Sequence, residues 1–264
     1  MNAPGHTNVA GGLDQTYDAH FYEDLASEVR GSAEVIVPIV VDLLRPQSVL
    51  DIGCGRGTWL DVFRRHGVTD VVGVDGAHVA RDDLEIPPDA FIAHDLREPV
   101  ALDRRFDLAV SLEVAEHLAP VAAAGFVASL VAHAPAVLFS AAIPFQGGAG
   151  HVHERWPSYW ADVFQSHGYV ALDIVRPAVW HDERVAFWYA QNTLLYVRDV
   201  PPGVTPAAIG AVRDLVHPAL HIRERTAAKR PPAPPSLRRA LRDARAAAAR
   251  ALRRRTSTTR TTTR

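Results

Sequence analysis

The chain has one cysteine, Cys54, and one methionine among 264 residues. A lone thiol excludes an intramolecular disulfide framework. No apolar run approaches the roughly 20 residues that span a bilayer, which excludes a membrane-crossing helix. No internal repeat is evident, which excludes a stacked-repeat architecture. The first residues, "MNAPGHTNVAGGLDQ", lack the basic start and apolar centre of a secretory signal, so a cytoplasmic location is the expectation. What remains is ordinary for a globular protein: 48% hydrophobic and 22% charged residues, enough to build one large α/β domain.

The net charge of -2 conceals a division. Residues 227–264 carry 12 Lys and Arg against a single acid, Asp243, which leaves 16 basic and 29 acidic residues in 1–226. Three segments follow: a mobile N-terminus (1–16), a body (17–226) expected to be one domain, and a Pro-rich linker with a basic tail (227–264). "KRPPAPPS" is the stiff connection between the last two.

Within the body, apolar runs bounded by turn residues alternate with helical spacing. The strands expected are "SVLDI", "VVGVD" (71–75), "AFIAHD" (90–95), "FDLAVSLEV" (106–114), "AVLFSAAIP" (136–144), "VALDIVRP" and "TLLYVRD". Their both-sided apolarity points to burial in a parallel sheet covered by helices. Helices are expected over "TWLDVFRRHG", stopped at Gly67, over "PVAAAGFVASLVAHA", and over "PSYWADVFQSHG", with Pro157 in its first turn. The segment "QTYDAHFYEDLASEVRGSAEVIVPIVVDLL" reads as two helical pieces broken near Gly31, the second capped by Ser32.

In "VLDIGCGRGTWL" a strand ends in Asp51 and passes through Gly53, Cys54, Gly55 and Gly57 before a helix opens. Such glycines let a backbone turn sharply and approach a ligand. A dinucleotide fingerprint needs Gly or Ala at the sixth position, and Thr58 stands there instead.

The stretch resembles motif I, D-x-G-x-G-x-G, of the class I S-adenosylmethionine-dependent methyltransferases. "VVGVD" ends in Asp75, followed by Gly76, and matches the family acid that binds both ribose hydroxyls. "AHDL" supplies Asp95, matching the acid that takes the adenine amino group, with Leu96 beside it. "FDLAVSLEVAEHL" matches the strand-4 motif, with Glu113, Glu116 and His117 at the rim of the site. The resemblance covers about residues 17–200. It implies a Rossmann-like α/β fold with a seven-stranded, mainly parallel sheet of order 3-2-1-4-5-7-6, helices on both faces, and S-adenosylmethionine as cofactor. N-terminal helices cap the cofactor in this family, which brings in Tyr17, Phe21 and Tyr22.

Methyl transfer to an alcohol needs a base for the hydroxyl proton. "HVHERWPSYW" (151–160) follows the flexible "PFQGGAG" and is expected over the acceptor side. Its form, together with the later "AFWYAQNTLLYV", resembles a subgroup associated with polysaccharide and glycosylation clusters. That resemblance implies a sugar or glycoconjugate hydroxyl as acceptor. His151 is the expected base with Glu154 as its orienting partner; His117 and His153 are the other candidates. For the acceptor, Trp156, Tyr159, Trp188, Tyr189, Gln191 and Asn192 combine flat rings with amide groups, which suits a sugar face and its hydroxyls. The same aromatics could equally form core packing, as expected for Trp160 and Phe164. H-x-H-E could ligate a divalent metal, but magnesium prefers carboxylates and water to imidazole, and a third zinc ligand is not apparent. A metal is therefore not favoured.

In the tail, Leu237, Leu241, Ala244, Ala248 and Leu252 form a narrow apolar stripe among arginines. This suits an anionic membrane surface, which would make the protein peripheral to a membrane, or simply a solvated tail. Nucleic acid fits poorly with an acidic body. The expectation is an O-methyltransferase acting on a small molecule or glycan. N- or C-methylation of a natural-product intermediate, or a non-catalytic cofactor-binding assembly protein, are the alternatives.

Overall fold

The computed structural model describes residues 19–210 and 212–229, with residues 19–25, 206, 224, 225 and 227–229 in backbone only. Helix α1 (Ala19–Leu44) leads into β1 (Ser48–Ile52), α2 (Thr58–Arg65), β2 (Asp70–Asp75), β3 (Phe91–Ala93), β4 (Leu108–Leu112), α3 (Ala123–His133) and β5 (Ala136–Ser140). Then follow α4 (Pro157–Ser166), β6 (Val170–Leu172), α5 (Val175–Val179), α6 (Phe187–Asn192), β7 (Leu194–Val197) and α7 (Pro218–Lys229). The chain divides into a compact unit ending at His221 and a second beginning at Ile222; all seven strands of the sheet belong to the first.

The seven strands form one sheet of order β3-β2-β1-β4-β5-β7-β6, parallel except for β7, which runs antiparallel to both its neighbours. Alternate residues of each central strand feed opposite cores. Leu108, Val110, Leu138 and Val49 face α1, α2, α5 and α6, where Ile36, Val37, Trp59, Phe63, Val179 and Tyr189 pack. Leu50, Ala109, Val137 and Phe139 face α3 and α4, meeting Phe126, Leu130, Trp160 and Phe164. This two-sided burial is why the strands read as continuous apolar runs rather than alternating ones. β1 and β4 stand at the point where the strand order reverses, and the carboxyl edge of such a sheet opens there into a crevice.

Helix α4 starts at Pro157 as expected, and its Trp160 and Phe164 are buried against Phe139, with ring centroids 5.1 and 5.3 Å away. Three expectations are corrected. Residues 19–44 form one helix, unbroken at Gly31 and containing Pro38. Ser32 is not a cap: its Oγ donates to the Glu28 carbonyl and accepts from the Ala186 N–H at 3.0 Å, tying α1 to the start of α6. The segment "AFWYAQN" is largely helical, and the expected strand "VALDIVRP" divides into three residues of strand and the start of α5. The basic tail and Tyr17 lie outside the described residues, as does the side chain of Tyr22, which stands in α1. Among the described residues no helix is long and apolar enough to cross a membrane.

Candidate functional site

The crevice begins where β1 turns into α2. Gly53 has φ +92°, and a Cβ there would come within 2.3 Å of the Val114 side chain, so only glycine lets this turn lie against the end of β4. The Gly55 N–H donates to Asp75 Oδ2 at 2.6 Å, and the Gly76 N–H donates to Asp75 Oδ1, also at 2.6 Å. Asp75 at the tip of β2 thus anchors the glycine loop and keeps unused lone pairs on both oxygens. Behind it, Asp51 is 2% exposed; burial, and secondarily the nearness of Asp75, hold its carboxyl well above the usual range. Burial likewise pushes the Cys54 thiol up, so this cysteine is a packing group rather than a nucleophile.

A cleft of about 690 Å³ opens alongside, lined by Asp75, Gly76, Asp95, Leu96, Glu113 and His117 among others. Asp95 lies at its exposed rim. There the Arg97 guanidinium makes a forked pair with it and holds its carboxyl down at about 2.

At the end of β4 the backbone is strained: Glu113 has φ +56°, a region non-glycine residues avoid. A buried amide network fixes it there. Gln146 Nε2 donates to Glu113 Oε2 at 2.8 Å and Asn192 Nδ2 donates to Oε1 at 3.0 Å. Gln191 Nε2 in turn donates to Gln146 Oε1 and Asn192 Oδ1, at 3.1 and 2.9 Å. Desolvation raises the Glu113 carboxyl, while these hydrogen bonds pull the other way.

Three residues on, Glu116 is fully buried and neither carboxyl oxygen has a hydrogen-bond partner. Burial, and next the nearby Glu113, push it up to about 9. Its carbonyl accepts from Val152 and His153 N–H, at 2.9 and 3.0 Å, and so docks the 151–154 segment beside it. His151 Nδ1 lies 3.0 Å from Glu154 Oε1. A carboxyl acceptor selects the tautomer with hydrogen on Nδ1, leaving the Nε2 lone pair free. That Nε2 is 3.9 Å from Glu116 Oε1, and the His117 ring meets the His151 ring edge-on with centroids 4.8 Å apart. Desolvation, then His151, lowers the His117 pKa. Glu154 also accepts from the N–H groups of Phe145 and Gly147, at 2.8 and 2.9 Å, ordering the loop that carries Phe145.

The family model described as "Methyltransferase domain" matches residues 23–174, more than half of the chain. The chain belongs to the methyltransferase-domain family. Solved structures agree on the fold of this methyltransferase. Streptomyces venezuelae DesVI is 18% identical, with a TM-score of 0.51, over 70% of this chain and 100% of its own. CalS10, an amino pentose methyltransferase from Micromonospora echinaspora solved with S-adenosylmethionine bound, is 18% identical, with a TM-score of 0.50, over 71% of this chain and 100% of its own. Magnesium protoporphyrin IX methyltransferase from Synechocystis PCC 6803, solved with S-adenosylhomocysteine, is 16% identical, with a TM-score of 0.50, over 70% of this chain and 90% of its own. No curated protein matches the chain in sequence.

In the methyltransferase the expected residues fall into three groups. The glycine loop, Asp75, Gly76, Asp95, Leu96, Glu113 and His117 converge on one crevice, and the His151–Glu154 pair stands behind His117, with the two imidazole rings in contact. His153 does not join them. Its ring is 3% exposed and packs edge-on against Tyr159 and Trp160, with centroids 5.7 and 5.5 Å away. Gln191 and Asn192, expected to meet the acceptor, are buried and spend their amides on the Glu113 network, and Gln191 Oε1 also accepts from the His217 N–H at 2.8 Å. Tyr189 is buried edge-on against Trp59 at 5.1 Å, with Trp188 packed beside it in the same core. Trp156 and Tyr159 are half-buried at the start of α4, where Tyr159 also receives the Arg155 guanidinium 5.5 Å from its ring centre. The reading of the sequence passed over Gln146, which lies in the glycine-flanked loop after β5, and Phe145, 81% exposed with φ +70°.

Proposed function

We propose that the protein is an S-adenosylmethionine-dependent methyltransferase that methylates a hydroxyl of a sugar or glycoconjugate. The crevice fits this donor: nothing lies within 4 Å of where a Cβ at Gly55 would project, so the loop backbone is open to a ligand. Asp75 presents two oxygens to the vicinal ribose hydroxyls, a charge-assisted double contact. Asp95 and Leu96 line the adenine end, and Glu113 the end near the reaction. When bound, the donor supplies a methyl group activated on a sulfonium.

The observation that carries the acceptor reading is the His151–Glu154 pair, an imidazole oriented by a carboxylate and standing beside His117, which lines the cleft. The acceptor oxygen attacks the methyl carbon in line, the carbon–sulfur bond breaks with its electrons left on sulfur, and the hydroxyl proton goes to His151 Nε2. Phe145, held out into solvent on the loop that Glu154 orders, offers a flat apolar ring to a sugar face.

Titration of the donor against wild type and Asp75→Ala tests the first half. Loss of a charge-assisted double contact is expected to weaken binding by about 100-fold; equal affinities would refute the site. Methyl transfer to a panel of monosaccharides and nucleotide sugars tests the second. His151→Ala is expected to lower turnover by about 100-fold or more with donor affinity retained. Equal loss of both would make His151 a folding residue.

A further inference from the structure

We infer that Glu116, His117 and His151 form a binding site for one divalent first-row transition cation at the acceptor end of the cleft. The carboxyl of Glu116 is the observation that asks for it. It is 0% exposed, neither oxygen has a hydrogen-bond partner, and a second carboxyl, Glu113, stands close by. A buried acid whose nearest donors, the backbone N–H groups of Glu116 and Ala142, fall outside ordinary hydrogen-bond geometry is costly, and such a group needs a cation or another role to account for it. The residues that face it are imidazoles, and one ligand atom from each of the three can be chosen so that all lie within 4.8 Å of one another. A cation with bonds of about 2.1 Å spans about 4.2 Å between opposite ligands, so small side-chain rotations close the set.

Two further features suit a metal. His151 already gives its Nδ1 hydrogen to Glu154, the carboxylate–histidine arrangement that orients and strengthens a metal-ligating ring. The donors come as two imidazoles and one carboxylate, a set that selects manganese, iron, cobalt or zinc over magnesium and leaves positions open for water or vicinal hydroxyls. The H-x-H-E motif alone does not suggest this site, because the partners of His151 are not His153 but Glu116 and His117, more than 30 residues earlier.

The inference rests on the methyl-transfer reading for the donor and the location of the acceptor, and replaces His151 as the base. With a cation bound, the His151 lone pair is a ligand, and the hydroxyl proton leaves to water from an acceptor oxygen that the cation acidifies.

The test uses the full chain and Mn²⁺ alone, followed by loss of the free-ion paramagnetic resonance signal, with S-adenosylmethionine titration run in parallel. One Mn²⁺ per chain is expected, at least about 10-fold weaker in each of Glu116→Gln and His117→Gln, and weaker also in Glu154→Gln. Mn²⁺ is also expected to raise the Tm of wild type but not of Glu116→Gln. Retained donor affinity in Glu116→Gln reports that it folds; if that variant fails to fold, His117→Gln decides. Absent stoichiometric binding, or binding unchanged in these variants, overturns the site. Wild type that takes the donor but not Mn²⁺ sinks the cation and leaves the methyltransferase standing, whereas Mn²⁺ binding without donor binding does the reverse.

Discussion

His153 sits between Tyr159 and Trp160 with both ring nitrogens unpartnered, so protonating it in the folded protein puts a charge into an aromatic pocket. Desolvation first, and the Arg155 charge second, hold its pKa below the ordinary 6.5. The unfolded chain takes up this proton near the ordinary value and the folded protein does not. Stability from keeping the ring neutral is therefore complete above pH 6.5 and is lost as the pH falls through the depressed folded value. His153→Phe keeps the ring packing and removes the proton site. Urea melts between pH 7 and 5 are expected to show wild type losing stability faster than the variant, by at most about 1.4 kcal/mol per pH unit for one proton. Parallel curves would mean that the pocket admits the charge.

At the scale of elements, α1 shows how a local signal is overruled. Gly31 reads as a helix break, yet the helix continues and the glycine serves an approach: a Cβ there would lie 2.9 Å from the Arg184 carbonyl oxygen. Two effects compete in Gly31→Ala. Helix propensity favours alanine by about 0.5–1 kcal/mol, whereas overpacking costs about 1–3 kcal/mol. The obstructing atom is backbone and cannot rotate away, so the clash wins. A net loss of about 1 kcal/mol is expected, read as a lower urea midpoint with an unchanged slope. A gain would show that the loop around Arg184 yields. The same contrast explains what the sequence discloses about the site. The glycine loop, Asp75 and Asp95 sit at strand ends, so their positions follow from short-range pattern and sheet order. The Gln146–Asn192–Glu113 network joins residues as far as 79 positions apart, and it turns amides that suit a sugar into supports for a strained glutamate. Likewise His151 and His153, two apart, would share a side of an ideal strand, but their segment is not a strand and the rings part company. Contacts of that range have no local signature.

Across the whole molecule the charge division is the largest feature left. The first 226 residues carry 29 acids against 16 bases, while 227–264 hold 12 bases against one acid. An acidic catalytic body is repelled by an anionic bilayer, so attraction must come from the basic stretch, at about 1 kcal/mol per Arg near the surface. Twelve bases exceed what the body's repulsion can cancel at a distance, because screening confines each charge to about 10 Å at 0.1 M salt. Full-length protein is therefore expected to sediment with phosphatidylserine-containing vesicles at low salt, and to release from them at 0.5 M salt. A chain ending at Lys229 is expected to stay in the supernatant under both conditions while binding the methyl donor as before. Retention of the shortened chain on vesicles would move the contact to the body, and failure of the full chain to bind would reduce the basic stretch to a solvated segment. Donor affinity measured in the same samples separates either result from loss of the fold.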